Sequence, residues 1–167
     1  MSGKADRPPW RESDADLASP LTHSWPLFEQ DQRFDLGRLL DVGEAVPACP
    51  PLQSYRLAAQ GIGLWDCDLR DNALTWTAAV FDLFGLPRGA TLDRPDVVAL
   101  YDDHSRAAME RLRAYAIRHR RGFTLDTQIV PASGPRRWMR LIAAPICVGA
   151  RVVRLHGIKQ DVTAAYR

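Results

Sequence analysis

Asp66 and Asp68 lie two residues apart, a spacing that puts both carboxylates on one face of an extended chain and invites acid–base chemistry. They adjoin a turn at Asp71-Asn72, where exposed aspartates are ordinary, so the pair does not by itself define a site. Asp102-Asp103-His104 carries metal-ligating side chains. Adjacent residues at a helix start seldom converge on one ion, so capping explains them better and no metal is expected. Cys49, Cys67 and Cys147 are an odd count with no C-x-x-C pair, which excludes a disulfide framework and a zinc knuckle and fits a reducing cytoplasm. Arg111, Arg113, Arg118, His119, Arg120 and Arg121 suit the negative end of a helix and a solvated face. No interleaved aromatics or reading helix accompany them, so nucleic acid is not an expected partner. The sequence has no G-x-S-x-G, P-loop, H-E-x-x-H or dinucleotide fingerprint, and the expectation is a protein that is not an enzyme.

The elements that must position these residues can be read in order. Ile62 to Leu69 alternates, with Leu64, Asp66 and Asp68 on one side and Trp65, Cys67 and Leu69 on the other, which predicts a strand. Leu74 to Trp76 makes a hairpin with it. Thr77 is placed to cap a helix over Ala78 to Phe84 that Gly85 stops. Pro87 to Pro95 reads as a loop. Asp103 to Arg120 is the longest helix, with Ala107, Ala108, Leu112, Tyr115 and Ala116 on one stripe and Gly122 at its end. Three strands follow: Phe123 to Ile129, Arg137 to Cys147 and Arg151 to Val162. Two strands, helices, then three strands predict an α+β fold with a five-stranded antiparallel sheet, helices on one face and an N-terminal extension.

The 167 residues allow one domain and a tail. Residues 1–51 hold seven of the twelve prolines, with five basic and nine acidic residues, while residues 52–167 carry 17 basic and 11 acidic residues. The boundary therefore falls between a Pro-rich acidic extension, 1–51, and a basic domain, 52–167. Within the extension Phe34, Leu36, Leu39, Leu40 and Val42 suggest one amphipathic helix over Phe28 to Val46 that caps the domain. A net charge of +2 is too small to argue for nucleic acid or an acidic membrane. No apolar run reaches the ~18–20 residues of a membrane span, and Met1 to Trp10 is too polar for a signal peptide.

Four pieces of the sequence, in order, resemble a PAS (Per-Arnt-Sim) sensory domain of the bacterial signalling type over about residues 52–165. Gly61-Ile62-Gly63-Leu64-Trp65-Asp66-Cys67-Asp68-Leu69 is similar to the family's first strand, G-x-x-x-W-x-x-D-L. Leu74-Thr75-Trp76-Thr77 with Leu83-Phe84-Gly85-Leu86-Pro87 resembles its second strand and first helix. Asp102-Asp103-His104-Ser105-Arg106 stands at the head of the long helix. Gly134, Arg137-Trp138, Gly157 and Asp161-Val162-Thr163 resemble the closing hairpin and the D-[IV]-T terminus. Asp161 and Thr163 would satisfy free backbone donors and set the direction in which the signal leaves.

The resemblance and the strand alternation together imply a pocket face. Trp65, Cys67, Leu74 and Trp76 come from the first hairpin, and Phe123, Leu125, Thr127 and Ile129 from the third strand. Met139, Leu141 and Ala143 come from the fourth strand, and Leu155 and Gly157 from the fifth. Lys159 follows in register; it would sit at the rim or reach to solvent at the sheet end. LOV-type flavin chemistry is not expected, because an N-C-R-F-like cysteine helix is missing. Haem is not expected either, since the middle of the long helix is Met109-Glu110-Arg111-Leu112. A non-covalently bound flavin stays compatible with the tryptophans.

On the opposite face Trp138, Ile142 and Ile158 are too apolar to be wetted, so the N-terminal segment or a second subunit is expected to cover them, with Arg140 and His156 beside them. His156 reads as a surface histidine. Arg140 and Arg154 stand ready to pair with Asp126 and Asp66. The expected function is a sensory module, a homodimer that binds a small ligand or partner and relays the change through its sheet and termini to a histidine kinase or cyclase. The alternative is a ligand-free domain for dimerisation or docking. The sequence ends at Arg167, so either the domain is free-standing or an output region follows it in the native protein.

Overall fold

The computed structural model describes residues 20–34 and 57–167. The sheet is antiparallel throughout and has six strands: β1 (Thr22–Pro26), β2 (Ile62–Asp68), β3 (Ala73–Trp76), β4 (Arg121–Ile129), β5 (Arg137–Val148) and β6 (Arg151–Asp161). Their spatial order is β1-β4-β5-β6-β2-β3. The helices are α1 (Gln30–Phe34), α2 (Ala78–Phe84), α3 (Arg94–Val98) and α4 (Asp103–His119), with short 3-10 turns at Leu27–Glu29 and Thr163–Tyr166. The class is α+β, as expected. The sixth strand is the difference: Thr22–Pro26 lies in the extension and pairs antiparallel with Leu125–Arg121 of β4. The sheet therefore runs across the expected boundary at residue 51. The expected helix over Phe28 to Val46 is described only as far as Phe34; Leu36, Leu39, Leu40, Val42 and Cys49 lie outside the described residues.

Side-chain alternation divides the interior into two apolar clusters, one on each face of the sheet. The inner cluster joins Trp65, Trp76, Phe123, Leu141 and Leu155 to Val80, Phe81 and Phe84 of α2 and Met109 and Ala116 of α4. The outer cluster joins Ile62, Ile142, Ala144 and Ile158 to Trp25, Phe34 and Leu57.

Local chemistry fixes the helices. Gly85 takes φ 64° at the end of α2 and Leu86 N–H donates back to the Phe81 carbonyl at 3.0 Å, a stop that Pro87 makes permanent. Thr77 precedes α2 but makes no cap bond. Its hydroxyl instead accepts from Leu64 N–H at 2.9 Å, which ties the helix start to β2. Asp102 is the true cap of α4, accepting from His104 N–H and Ser105 N–H. At the other end Arg120, not Gly122, takes the left-handed turn, at φ 52°. Gly122 belongs to β4, where a Cβ would fall 2.1 Å from Trp25 Cη2; its bare backbone is the seat of that indole. Tyr115, read as part of the apolar stripe, is half exposed and meets His119 at a tilt of 42°, while Met109 and Ser105 turn inward. The expected loop Pro87 to Pro95 ends earlier, because Asp93 and Pro95 start α3.

Candidate functional site

Between the inner face of the sheet and α3 and α4 lies a cavity of about 50 Å³. Its volume suits a small occupant. Trp65 and Cys67 of β2, Leu74 of β3, Phe123 of β4, Leu141 of β5, and Leu155 and Lys159 of β6 line it from the sheet. Arg94, Val97 and Val98 of α3, Tyr101 after it, and Met109 and Arg113 of α4 close it from the helices. The remaining pocket-face candidates, Trp76, Leu125, Thr127, Ile129, Met139, Ala143 and Gly157, are buried around the cavity without lining it. Thr127 is occupied locally, its hydroxyl donating to the Met139 carbonyl at 3.3 Å. At Gly157 a Cβ would meet the Ile142 carbonyl oxygen at 1.9 Å, so this position serves strand packing.

Lys159 is the polar centre of the cavity. Rather than sitting at a rim or reaching solvent, it is 5% exposed. Its Nζ lies 4.7 Å from the Phe84 ring centroid, 5.2 Å from Trp76, 5.4 Å from Trp65 and 5.8 Å from Tyr101. The four aromatic faces offset part of the cost of taking an ammonium out of water. Among the described residues its one hydrogen bond is to Tyr101 Oη, at 3.3 Å. Among the described residues no carboxylate pairs with it. Burial lowers its pKa to about 7, opposed by Cys67 and assisted by the positive charge of Arg94. Burial likewise pushes up the Cys67 thiol, against the charge of Arg113, and holds the Tyr101 phenol protonated.

Sequence reading missed Arg94, Val97, Val98, Tyr101, Met109 and Arg113. The available signal was helical spacing: Met109 and Arg113 are four residues apart on α4, so one face presents both. Arg94 is held by Glu110 at 2.6 Å, and Arg113 donates to Asn72 Oδ1 at 3.0 Å.

The outer face is spoken for by the chain itself. Trp25 on β1 covers Gly122 and donates through Nε1 to Thr124 Oγ1 at 3.1 Å. Phe34 meets both Trp25 and His156 edge-on. Ile142 and Ile158 are buried beneath them. His156 is therefore not a surface histidine; burial lowers its pKa, and its Nε2 has no partner among the described residues. Asp126 receives a two-pronged bond from Arg140, both contacts at 2.8 Å. Asp66 is fully buried and pairs with Arg154, while Asp68 pairs with Arg70 at 2.8 Å. The two aspartates are thus held in ion pairs on the outer face. Trp138 is half-buried and stacks on Tyr166, whose hydroxyl donates to Asp126 at 2.6 Å. Asp161 Oδ1 accepts from both the backbone and hydroxyl of Thr163, and Thr163 Oγ1 accepts from Trp138 N–H at 3.0 Å. The exit of β6 is therefore tied to β5.

Strand order, helix placement and cavity position are those of a PAS fold, and solved structures agree. The N-terminal domain of a diguanylate cyclase with PAS/PAC sensor from Marinobacter aquaeolei superposes with TM-score 0.58 at 14% identity, covering 64% of this chain and 99% of that one. A sensory box histidine kinase/response regulator from Burkholderia thailandensis gives 0.56 at 17% identity, covering 69% and 87%. An RNA-binding light-oxygen-voltage receptor gives 0.56 at 15% identity over 64% of this chain, which spans only 30% of that one. Neither a protein-family model nor a curated protein matches the sequence. The flavin of light-oxygen-voltage domains does not fit the residues present. That chemistry uses a helix cysteine, whereas Cys67 and Cys147 both lie on strands. Among the described residues no group of His, Cys, Asp and Glu is arranged to hold a metal, and no helix is long and apolar enough to cross a membrane.

Proposed function

We propose that this chain is a non-catalytic sensory module. It takes a small ligand into the cavity between sheet and helices and passes the change through the outer sheet face and the anchored end of β6. The observation that carries this reading is the buried amine of Lys159, which faces a cavity and has no carboxylate partner among the described residues. A core built for packing alone would be expected to fill that position with an apolar side chain, because an uncompensated buried charge costs several kcal/mol. β6 links the two ends of the path: Lys159 lines the cavity, and Asp161, two residues on, holds Thr163. The partners that suit such a module are a second copy of the chain and a signalling protein such as a histidine kinase or cyclase.

The second reading is a PAS-fold unit used only for dimerisation or docking, which the small size of the cavity favours. Extraction of the purified protein under native conditions, followed by mass spectrometry and a thermal-shift panel of small metabolites, separates the two. The sensory reading expects a stoichiometric molecule in the extract, or a compound that raises the melting temperature and slows amide exchange in α3, α4 and β6. An empty protein that no compound stabilises leaves the docking reading.

A further inference from the structure

We propose that the cavity is a site for a small carboxylate, a molecule of a few heavy atoms whose single negative charge pairs with Lys159 and whose body lies against the aromatic wall. This rests on the ligand-binding reading above and adds the chemical class.

The charges that face the cavity are all of one sign. From β6 comes Lys159, from α3 Arg94 and from α4 Arg113. The other titratable groups lining it, Cys67 of β2 and Tyr101, are held in their neutral forms by burial. Glu110 of α4 is engaged by Arg94 and not by Lys159. Arg113 has no carboxylate partner among the described residues. Trp76, 5.2 Å from Lys159 Nζ at its ring centroid, stands behind the cavity wall and does not line it. An amine and two guanidinium groups that face a cavity with no carboxylate among its lining residues are complementary to an acceptor that carries charge. Among the described residues the Tyr101 hydroxyl is the one partner of Lys159 Nζ, so two of its three N–H groups are left for an acceptor in the cavity.

Two features narrow the class. The lining is apolar apart from its basic groups, which suits a monoanion with one charged end better than a phosphate, which is polar on every side. The walls are Trp65, Phe123, Leu141, Leu155 and Met109, which suit a short apolar body, and the volume limits its size.

Binding must also move a proton. The amine of Lys159 is mostly neutral somewhat above its lowered pKa of about 7. A carboxylate seated against it favours the charged form, so the complex takes up a proton from solvent at mildly alkaline pH. The test is titration calorimetry of the full chain with acetate, propionate and butyrate, each beside its neutral amide, at about pH 8 in two buffers of different ionisation heat. We expect at least one carboxylate to bind at least tenfold more tightly than its amide, with uptake approaching one proton. Lys159→Met should abolish both the preference and the uptake. If that variant fails to fold, Arg113→Gln should weaken the carboxylate severalfold and leave the amide unchanged. Amides that bind as well as the acids would overturn the carboxylate assignment while leaving a ligand-binding module. No binding by acid or amide would overturn the assignment too, and a compound stabilising the protein in the metabolite panel would then show whether the sensory reading survives alone.

Discussion

Lys159 opposes the fold that contains it. An ordinary lysine titrates near 10.5 and this one at about 7. The unfolded chain therefore holds a proton that the folded chain has released between those values, and stability rises with pH across that window. At ~1.4 kcal/mol per pH unit, buried charge costs the folded state roughly 3–5 kcal/mol below pH 7. Lys159→Met removes that cost together with the ring contacts, so the variant should be more stable than the parent by roughly 1–3 kcal/mol at about pH 6. The gain should shrink as pH approaches 10. Denaturant midpoints measured across pH read this directly. A variant less stable than the parent at every pH would mean that the four rings more than compensate the charge. Strand parity in Leu155, Gly157 and Lys159 puts this side chain on the inner face, and that much is legible in the sequence. Its depth is not legible, because the closure over it comes from Phe84 and Tyr101, which are far away in the chain.

β1 is the element least visible in the sequence. Thr22–Pro26 is five residues long, ends in proline and lies among further prolines, a composition that reads as a leader. Its partner in β4 is about a hundred residues away, and Pro26 is tolerated because β1 is an edge strand. The strands β2 to β6 were legible because each alternates over its own length and is bounded by turn residues. The seat of β1 is the bare backbone of Gly122, so Gly122→Ala places a methyl group against the Trp25 indole. The cost should be about 1–3 kcal/mol of overpacking, localised to the contact. Amide exchange should show faster opening of β1 and its bonds to β4, with β2 and β6 unchanged. Uniform acceleration across the sheet would mean that β1 is an integral part of one cooperative unit. His156 belongs to the same cover. Its depressed pKa keeps it neutral beneath Phe34, so stability falls as pH drops below its ordinary 6.5 and protonation competes with that packing.

With both faces of the sheet covered by the chain's own residues, a second subunit cannot use Ile142 and Ile158 as its contact, since Trp25, Phe34 and Leu57 already bury them. The homodimer proposed above would instead run over the surface of the cover. There Phe28 is 87% exposed, one residue into the turn that follows β1. Burying such a ring at a contact contributes about 1.5–3 kcal/mol, enough to shift a dissociation constant by tenfold or more. Phe28→Asp should accordingly move the protein from dimer to monomer in light scattering at concentrations where the parent is paired. It should leave the melting temperature of the monomer unchanged, because the side chain makes little contact within its own chain. A parent with the 18.7 kDa monomer mass at every concentration would remove the homodimer from the proposed function. A dimer indifferent to Phe28→Asp would keep the assembly and place its contact elsewhere, leaving the β1 cover as a purely intramolecular lid on the face through which the signal is proposed to pass.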